Sequence, residues 1–191
     1  MPRLIRVENR ITSPLEDRGF TVYRGWSDTV ADQLVERSEE PEMLEHVPRD
    51  HAERFVSKDR ANEWYSENER VVYALGEKAA LAGIAWFTKH PIEDYDAQYT
   101  FAIRMYERAR GKGLAGAFMM AAHLDLEASQ HYEGAVWLDT DEGNVHARRL
   151  YERFGYNEIS RSDDRIRMVK LGSAPVKHSG PPVFYHPDPN A

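Results

Sequence analysis

Apolar residues recur at the three- and four-residue spacing of a helix in several parts of the chain. Ser27 or Asp28 is suited to cap the first of these segments, because its side-chain oxygen can accept from a backbone N–H of the first turn. The segment 144–154 carries its apolar residues on one clear face. The spacing predicts four helices, over 28–38, 50–66, 113–130 and 144–154.

Between these segments the pattern changes to short apolar runs that are typical of strands. Turns are expected at 76–78 and at 162–164, and a loop over 90–96. The first nineteen residues are predicted to be extended. The runs predict strands over 20–24, 70–77, 80–88, 99–106, 135–138, around 159 and over 166–171.

The elements follow the order β-α-α-β-β-β-α-β-α-β-β, which predicts a mixed α/β (α+β) fold. No repeat or linker divides the chain, so a single domain is expected over 1–171, with 1–19 as an extended lead-in. Residues 172–191 hold five of the ten prolines and are predicted to form an irregular tail.

Composition excludes several classes of protein. The chain has 191 residues and no cysteine, so it cannot use disulfides, cysteine-bound metals or a thiol nucleophile. A net charge of −7 argues against nonspecific binding of nucleic acid. The longest apolar run, 79–87, is too short to span a membrane, and the first residues lack a signal peptide's apolar core. A cytoplasmic protein is therefore expected, and the histidine spacing indicates no metal site.

The negative charge is concentrated in one segment. Residues 28–69 contain 13 acids and 5 bases, a local sum of −8, whereas the remainder of the chain sums to +1. Solvated helices explain such a segment in most proteins. The functional alternative is an acidic wall that attracts a cationic substrate.

The most informative segment runs from Glu107 to Gly116, where a predicted strand passes into a helix. Glycines let this backbone turn tightly, and the free N–H groups of a helix start favour a phosphate. Gly111, Gly113 and Gly116 satisfy the G-x-G-x-x-G pattern of NAD-dependent oxidoreductases. Against that alternative, only 75 residues follow Gly116, and charged residues precede the first glycine.

A second pattern fits better. Residues 110–115 (RGKGLA) resemble the R/Q-x-x-G-x-G/A signature of the GNAT superfamily of acyl-CoA N-acyltransferases. Residues 144–156 (NVHARRLYERFGY) resemble the N-x-x-A-x-x-L-Y-x-x-x-G-F/Y segment of the same family. The resemblance covers roughly 20–171. It implies a mostly antiparallel central sheet of six to seven strands flanked by about four helices, with acetyl-CoA as co-substrate.

The resemblance also implies positions for the co-substrate. The strand before the loop and the strand before the last helix splay apart in this family, and the pantetheine arm pairs with the first of them. The 3′-phosphate is expected near Arg108, Arg110, Lys112 or Arg148. The implied contacts are Ile103, Arg104 and Met105 for the pantetheine amides, Asn144 for the pantetheine arm, and the amides of Arg110, Gly111, Lys112, Gly113, Leu114 and Ala115 for the pyrophosphate.

The implied chemistry is direct attack of an amine on the thioester. Tyr151 corresponds to the family's general acid, which protonates the leaving thiolate. Several family members place a glutamate on the strand that contains 99–106, and this chain has none there. Asp94, Asp96, Tyr99 and a water chain therefore stay open as bases.

The missing glutamate also leaves open a second reading, a non-catalytic acyl-CoA-binding or regulatory protein of the same fold. For an active enzyme, the concentration of negative charge in 28–69 favours a cationic amine acceptor, either a small molecule or a peptide. Dimers are frequent in the family, so a homodimer is an open alternative.

Overall fold

The computed structural model describes residues 3–172, which divide into two compact units. Unit 1 comprises the chain up to Lys89 together with Ala102–Tyr132, and unit 2 comprises His90–Phe101 together with the chain from Glu133. The single domain over 1–171 stays a prediction. The tail predicted over 172–191 lies outside the described residues from 173 onward.

The strands form a mixed, mostly antiparallel sheet in the order β1-β2-β3-β4-β5-β6-β8-β7. Its eight strands exceed the predicted six to seven because a short β1 pairs with β2. The pair β5–β6 is parallel. The strands are β1 (Ile5–Arg6), β2 (Phe20–Arg24), β3 (Arg70–Glu77), β4 (Ala80–Ile92), β5 (Ala97–Met105), β6 (Ala135–Asp141), β7 (Tyr156–Ser162) and β8 (Arg165–Lys170).

The predicted strands and helices occur in the predicted order, which confirms the fold class, and the additional ones are short. One of these, the helical turn at Ser13–Glu16, differs from the extended conformation predicted for 1–19. Ser27 caps its helix as expected, accepting from the N–H of Val30 at 3.2 Å. A 3-10 turn, Glu93–Tyr95, occupies part of the predicted loop. The helices are α1 (Ser13–Glu16), α2 (Asp28–Ser38), α3 (Pro41–His46), α4 (Lys58–Ser66), α5 (Ala115–Gln130) and α6 (Val145–Arg153), with a π-helical turn at Asp50–Arg54.

The single helix predicted over 50–66 is wrong in one respect. It is divided into the π-helical turn Asp50–Arg54 and α4, because Ser57 adopts an extended conformation and caps α4. The Ser57 hydroxyl accepts from the N–H of Arg60 at 3.2 Å. An internal capping residue thus begins a separate helix inside the predicted one. Phe55 and Trp64 are both buried, as expected from the apolar pattern.

The core of unit 1 is rich in aromatic side chains. Trp64 is 3% exposed and meets Trp86 edge to face, with ring centroids 5.2 Å apart. It also meets Phe55 edge to face at 5.0 Å, and its ring is tilted against that of Trp26 at 5.9 Å. Such edge-to-face pairs add specific geometry to the burial of apolar area. The contacts fix α2, the π-helical turn and α4 against β3 and β4.

Unit 2 is built on β6, which pairs with β5 on one side and with β8 on the other. The parallel ladder with β5 spans Ala97–Thr100 and Ala135–Trp137. Ala97, Trp137 and Val169 form a small buried cluster. A doubly wound dinucleotide-binding fold needs a largely parallel sheet, so the mostly antiparallel pairing does not fit the oxidoreductase alternative.

Candidate active site

The glycine-rich segment forms a series of tight turns between β5 and α5. The N–H groups of Ala109 and Arg110 both donate to the carbonyl oxygen of Tyr106, at 2.8 and 3.0 Å. Gly111 and Gly113 have φ values of +69° and +65°. A residue with a Cβ adopts this left-handed region at a cost, whereas glycine does not. The two glycines therefore explain how the chain turns into α5.

The turns leave a run of backbone donors without protein acceptors. Within residues 3–172, no acceptor is present for the N–H groups of Gly111, Gly113, Leu114 and Ala115. Both glycines are exposed, and α5 begins at Ala115. Free N–H groups at the start of a sixteen-residue helix suit a phosphate oxygen. Of the six residues predicted to contact the pyrophosphate, four have an N–H group without a protein acceptor in the described chain, whereas the N–H groups of Arg110 and Lys112 donate to carbonyls inside the loop.

The cationic side chains of the loop all have acidic partners. The Arg108 guanidinium lies 3.4 Å from the Glu77 carboxylate, and the Lys112 ammonium lies 3.7 Å from the same residue. Arg110 pairs with both Glu40 and Glu42. A phosphate that approached these side chains would compete with carboxylates already in place. The backbone is thus the part of the loop left open to an anion.

Glu40, which is remote from the loop in sequence, holds the loop in place through two hydrogen bonds. Its carboxylate, only 9% exposed, accepts from the N–H of Glu107 at 2.9 Å and from the Arg110 guanidinium. A further oxygen accepts from Arg37 at 3.2 Å. Sequence reasoning missed this role, because no local pattern links residue 40 to residue 107.

The end of β5 lies close to β4 within unit 1. The N–H of Tyr106 donates to the carbonyl of Ala82 at 3.0 Å. A Cβ added at Gly83 would lie 3.0 Å from the carbonyl oxygen of Arg104 and 3.3 Å from the sulfur of Met105. The absence of a side chain at Gly83 therefore allows this close approach. Ile103, Arg104 and Met105 are partly exposed there.

The guanidinium of Arg104 meets a buried carboxylate. Its Nε–H donates to Asp50 at 2.6 Å, and Arg54 donates to the other oxygen of Asp50 at 2.6 Å. The Asp50 side chain is 3% exposed, so its charge depends on these two partners. Burial, followed by the charge of Asp50, raises the pKa of the Tyr106 hydroxyl above its ordinary value. Asp50 too was missed from the sequence.

In unit 2, Asn144 and Tyr151 lie at the start and near the end of α6. The Oδ1 of Asn144 accepts from the N–H of Ala147 at 3.0 Å, so this residue caps the helix. Tyr151 is buried, and its ring centroid is 5.8 Å from that of Tyr156. Burial, followed by the influence of Tyr151, raises the pKa of Tyr156 well above its ordinary value.

The remaining candidates also belong to unit 2. Asp94 and Asp96 are exposed, and Asp96 accepts from Gln98 at 3.4 Å. Tyr99 is partly buried on β5. Arg148 donates to the Glu142 carbonyl at 3.4 Å, and its buried Nε has no protein acceptor in the described chain. Nothing in these contacts selects one of the three predicted bases.

Most of the thirteen acids in 28–69 are paired with cations. Lys58 lies 3.0 Å from Asp32, Glu53 pairs with Arg49 at 2.9 Å, and Glu69 pairs with Lys89 at 2.8 Å. Arg60 also pairs with Glu63 and Glu67. Exposed pairs of this kind are screened and weak. Nearby cations thus partly neutralise the negative charge of the acidic segment 28–69.

Residues 33–156 match the acetyltransferase (GNAT) family. This chain belongs to that family. The match includes the loop and α6, whose sequence patterns carried the resemblance, and the end of β5. Membership also overturns the oxidoreductase alternative, already at odds with the sheet. No curated protein sequence shows significant similarity to the chain.

Solved structures show the same fold at low identity. YncA of Salmonella typhimurium, described as an acetyltransferase and solved with its cofactor acetyl-CoA, is 17% identical with a TM-score of 0.65, over 87% of this chain and 99% of that chain. Ribosomal-protein-S5-alanine acetyltransferase from Vibrio fischeri is 10% identical with a TM-score of 0.63, over 88% and 97%. A spermidine N-acetyltransferase SpeG chimera from Vibrio cholerae and hSSAT is 19% identical with a TM-score of 0.62, over 80% and 95%.

Two further features are absent from the described residues. No helix within 3–172 combines the length and the apolar character that crossing a bilayer demands. Across the same residues, no three His, Asp or Glu side chains are grouped so that they could hold a metal ion.

Proposed function

We propose that this GNAT protein transfers an acetyl group from acetyl-CoA to a primary amine, by direct attack within a ternary complex. The observation that carries the proposal is the run of N–H groups at Gly111, Gly113, Leu114 and Ala115, which have no protein acceptor within 3–172 and lie where the family signature expects the pyrophosphate. Four donors at a helix start suit an anion of high charge.

The end of β5 supports the placement of the pantetheine arm. The ladder between β5 and β6 spans Ala97–Thr100, whereas β5 continues to Met105. Backbone groups beyond the ladder would pair with the pantetheine amides along 103–105. A backbone N–H near Met105 would then stabilise the oxyanion that forms on the thioester carbonyl.

The residues of α6 would complete the chemistry. Asn144 would use its amide group to hold the pantetheine arm while its Oδ1 caps the helix. Tyr151 would protonate the departing thiolate, and the base that takes the proton from the amine is left unassigned. A lysine-like amine has a pKa of about 10.4 and is largely cationic at neutral pH. The negative charge of 28–69 supports such an acceptor.

The names of two structural neighbours, a spermidine acetyltransferase and a ribosomal-protein-alanine acetyltransferase, both indicate amine acceptors. They leave a small molecule and a peptide equally open here. The proposal includes a cytoplasmic location, with no nucleic-acid or membrane partner and no metal. Sedimentation would decide between a monomer and a homodimer.

The test is thiol release from acetyl-CoA over a panel of amines, followed by Tyr151→Phe. Loss of the general acid should lower kcat by roughly 10²-fold and leave the KM for acetyl-CoA nearly unchanged. Tyr156→Phe is the control, because it removes a hydroxyl from the ring beside Tyr151. Equal losses in both variants would remove Tyr151 from the mechanism.

The non-catalytic alternative rests on the absence of glutamate from β5. It predicts CoA binding without thiol release for every amine in the panel. Release with any amine excludes it.

A further inference from the structure

Three arginines in the described chain lie over tryptophan rings. Arg70 is 4.5 Å from the ring centre of Trp64, Arg104 is 4.9 Å from Trp86, and Arg167 is 4.6 Å from Trp137. An aromatic face attracts the positive charge but offers no acceptor to the N–H groups. Each guanidinium therefore still needs hydrogen-bond partners for its donors.

Two of the three arginines find a carboxylate. The Nε–H of Arg104 donates to Asp50 at 2.6 Å. Arg167 donates from Nε and Nη2 to the two oxygens of Asp139, at 2.9 and 3.0 Å. The arrangement of arginine, tryptophan and carboxylate thus occurs once in unit 1 and once in unit 2.

Arg70 has the tryptophan of this arrangement but lacks the carboxylate. Its Nε and Nη1 atoms are buried without a hydrogen-bond partner, and its side chain forms no ion pair within 3–172. Buried donors without acceptors are rare in folded proteins, since each costs the free energy of desolvation. Burial and then the charges of Arg54 and Arg60 lower the pKa of the Arg70 guanidinium, against the influence of Glu67.

The acid whose charge acts on Arg70 is Glu67, and its carboxylate accepts from Arg60. Two other guanidinium groups, those of Arg54 and Arg60, also act on Arg70, and both have carboxylate partners whereas Arg70 has none within 3–172. An anion from outside the described chain would supply the hydrogen-bond acceptor that the Arg70 guanidinium lacks.

We propose that Arg70 binds a carboxylate carried by the amine acceptor. This inference rests on the proposed function, because Arg104 lies on the strand expected to hold the thioester and Trp86 and Trp64 connect it to Arg70. A carboxylate is favoured because carboxylates complete the other two arginine–tryptophan pairs. Two indole rings separate Arg104 from Arg70, so amine and carboxylate lie at opposite ends of an elongated molecule, such as an omega-amino acid or a peptide.

The test compares omega-amino carboxylates of increasing length with alkylamines of equal length, using thiol release. The wild type should prefer the carboxylate series, in kcat/KM, by about 10- to 100-fold at the best length, the range for a charge-assisted hydrogen bond. Arg70→Gln should bring that ratio within about twofold of one and leave the alkylamine values unchanged. Arg49→Gln is the matched control, because Arg49 is an exposed arginine paired with Glu53.

A wild-type ratio near one, or a preference that survives in Arg70→Gln, would overturn the inference while leaving the proposed function intact. If neither series releases CoA, a binding measurement decides the Arg70 site, and the wider panel of amines decides the proposed function. The melting temperature is then compared in sodium acetate and sodium chloride at equal ionic strength. An acetate-specific rise that Arg70→Gln abolishes supports the carboxylate site, and an equal response in both proteins refutes it.

Discussion

Arg104 and Arg70 occupy similar surroundings and differ in one partner. Both guanidinium groups lie over tryptophans of one aromatic cluster, and those tryptophans contact each other edge to face. Arg104 is completed by Asp50, whereas two buried nitrogen atoms of Arg70 have no acceptor within 3–172. The fold thus uses one arginine to hold its own structure and leaves the other available to an external anion. A similar division applies to the glycine-rich loop, where the side chains are paired and the backbone is open.

The largest expected effect comes from removing the partner of Arg104. Asp50→Ala should lower the free energy of unfolding by about 3–5 kcal/mol, because it leaves the part-buried charge of Arg104 without a carboxylate. Urea denaturation measures this change. Glu53→Ala is the control, since its exposed pair with Arg49 should contribute nothing measurable. Similar losses in the two variants would mean that the buried ion pairs of Asp50 contribute no more to stability than the exposed pair of Glu53.

The second effect concerns the open backbone of the loop. Gly113→Val places a β-branched residue at a φ of +65°, which costs about 1–2 kcal/mol and disturbs the free N–H groups. The KM for acetyl-CoA should rise about 10-fold. Gly19→Val introduces comparable strain at a φ of +82° outside the loop. A rise in KM of equal size at Gly19 would show that the effect is one of stability alone.

The third effect tests whether Arg110 holds the loop in position through Glu40 or binds a phosphate of the co-substrate. Glu40→Gln weakens the pairing with Arg110 and should raise the KM for acetyl-CoA about 3- to 10-fold with kcat within twofold, because the loop loses its fixed position. Glu39→Gln, a neighbouring exposed acid, is the control. A fall in KM would instead show that Glu40 restrains Arg110 from a phosphate.

The elements with local signals were predictable, and the contacts between distant residues were not. The capped helix at Ser27 and the loop glycines follow from spacing and backbone chemistry, and the structure agrees with them. The π-helical turn before α4 depends on Ser57 adopting an extended conformation, which the apolar pattern did not reveal. The roles of Glu40 and Asp50 arise only when residues far apart in sequence meet. The roles of Asn144 and Tyr151, which the family resemblance implies, stay predictions.

The smallest expected effect is on stability at Arg70 itself. Arg70→Met keeps an apolar stem over Trp64 and removes two buried donors that have no acceptor within 3–172. Replacing an unfavourably buried charge with an apolar side chain is often neutral or stabilising. The melting temperature should therefore stay level or rise slightly, whereas Arg104→Met should lower it by removing a partner of buried Asp50. A clear loss of stability at Arg70 would show that its guanidinium already serves the fold, and the distinction between the two arginines would disappear.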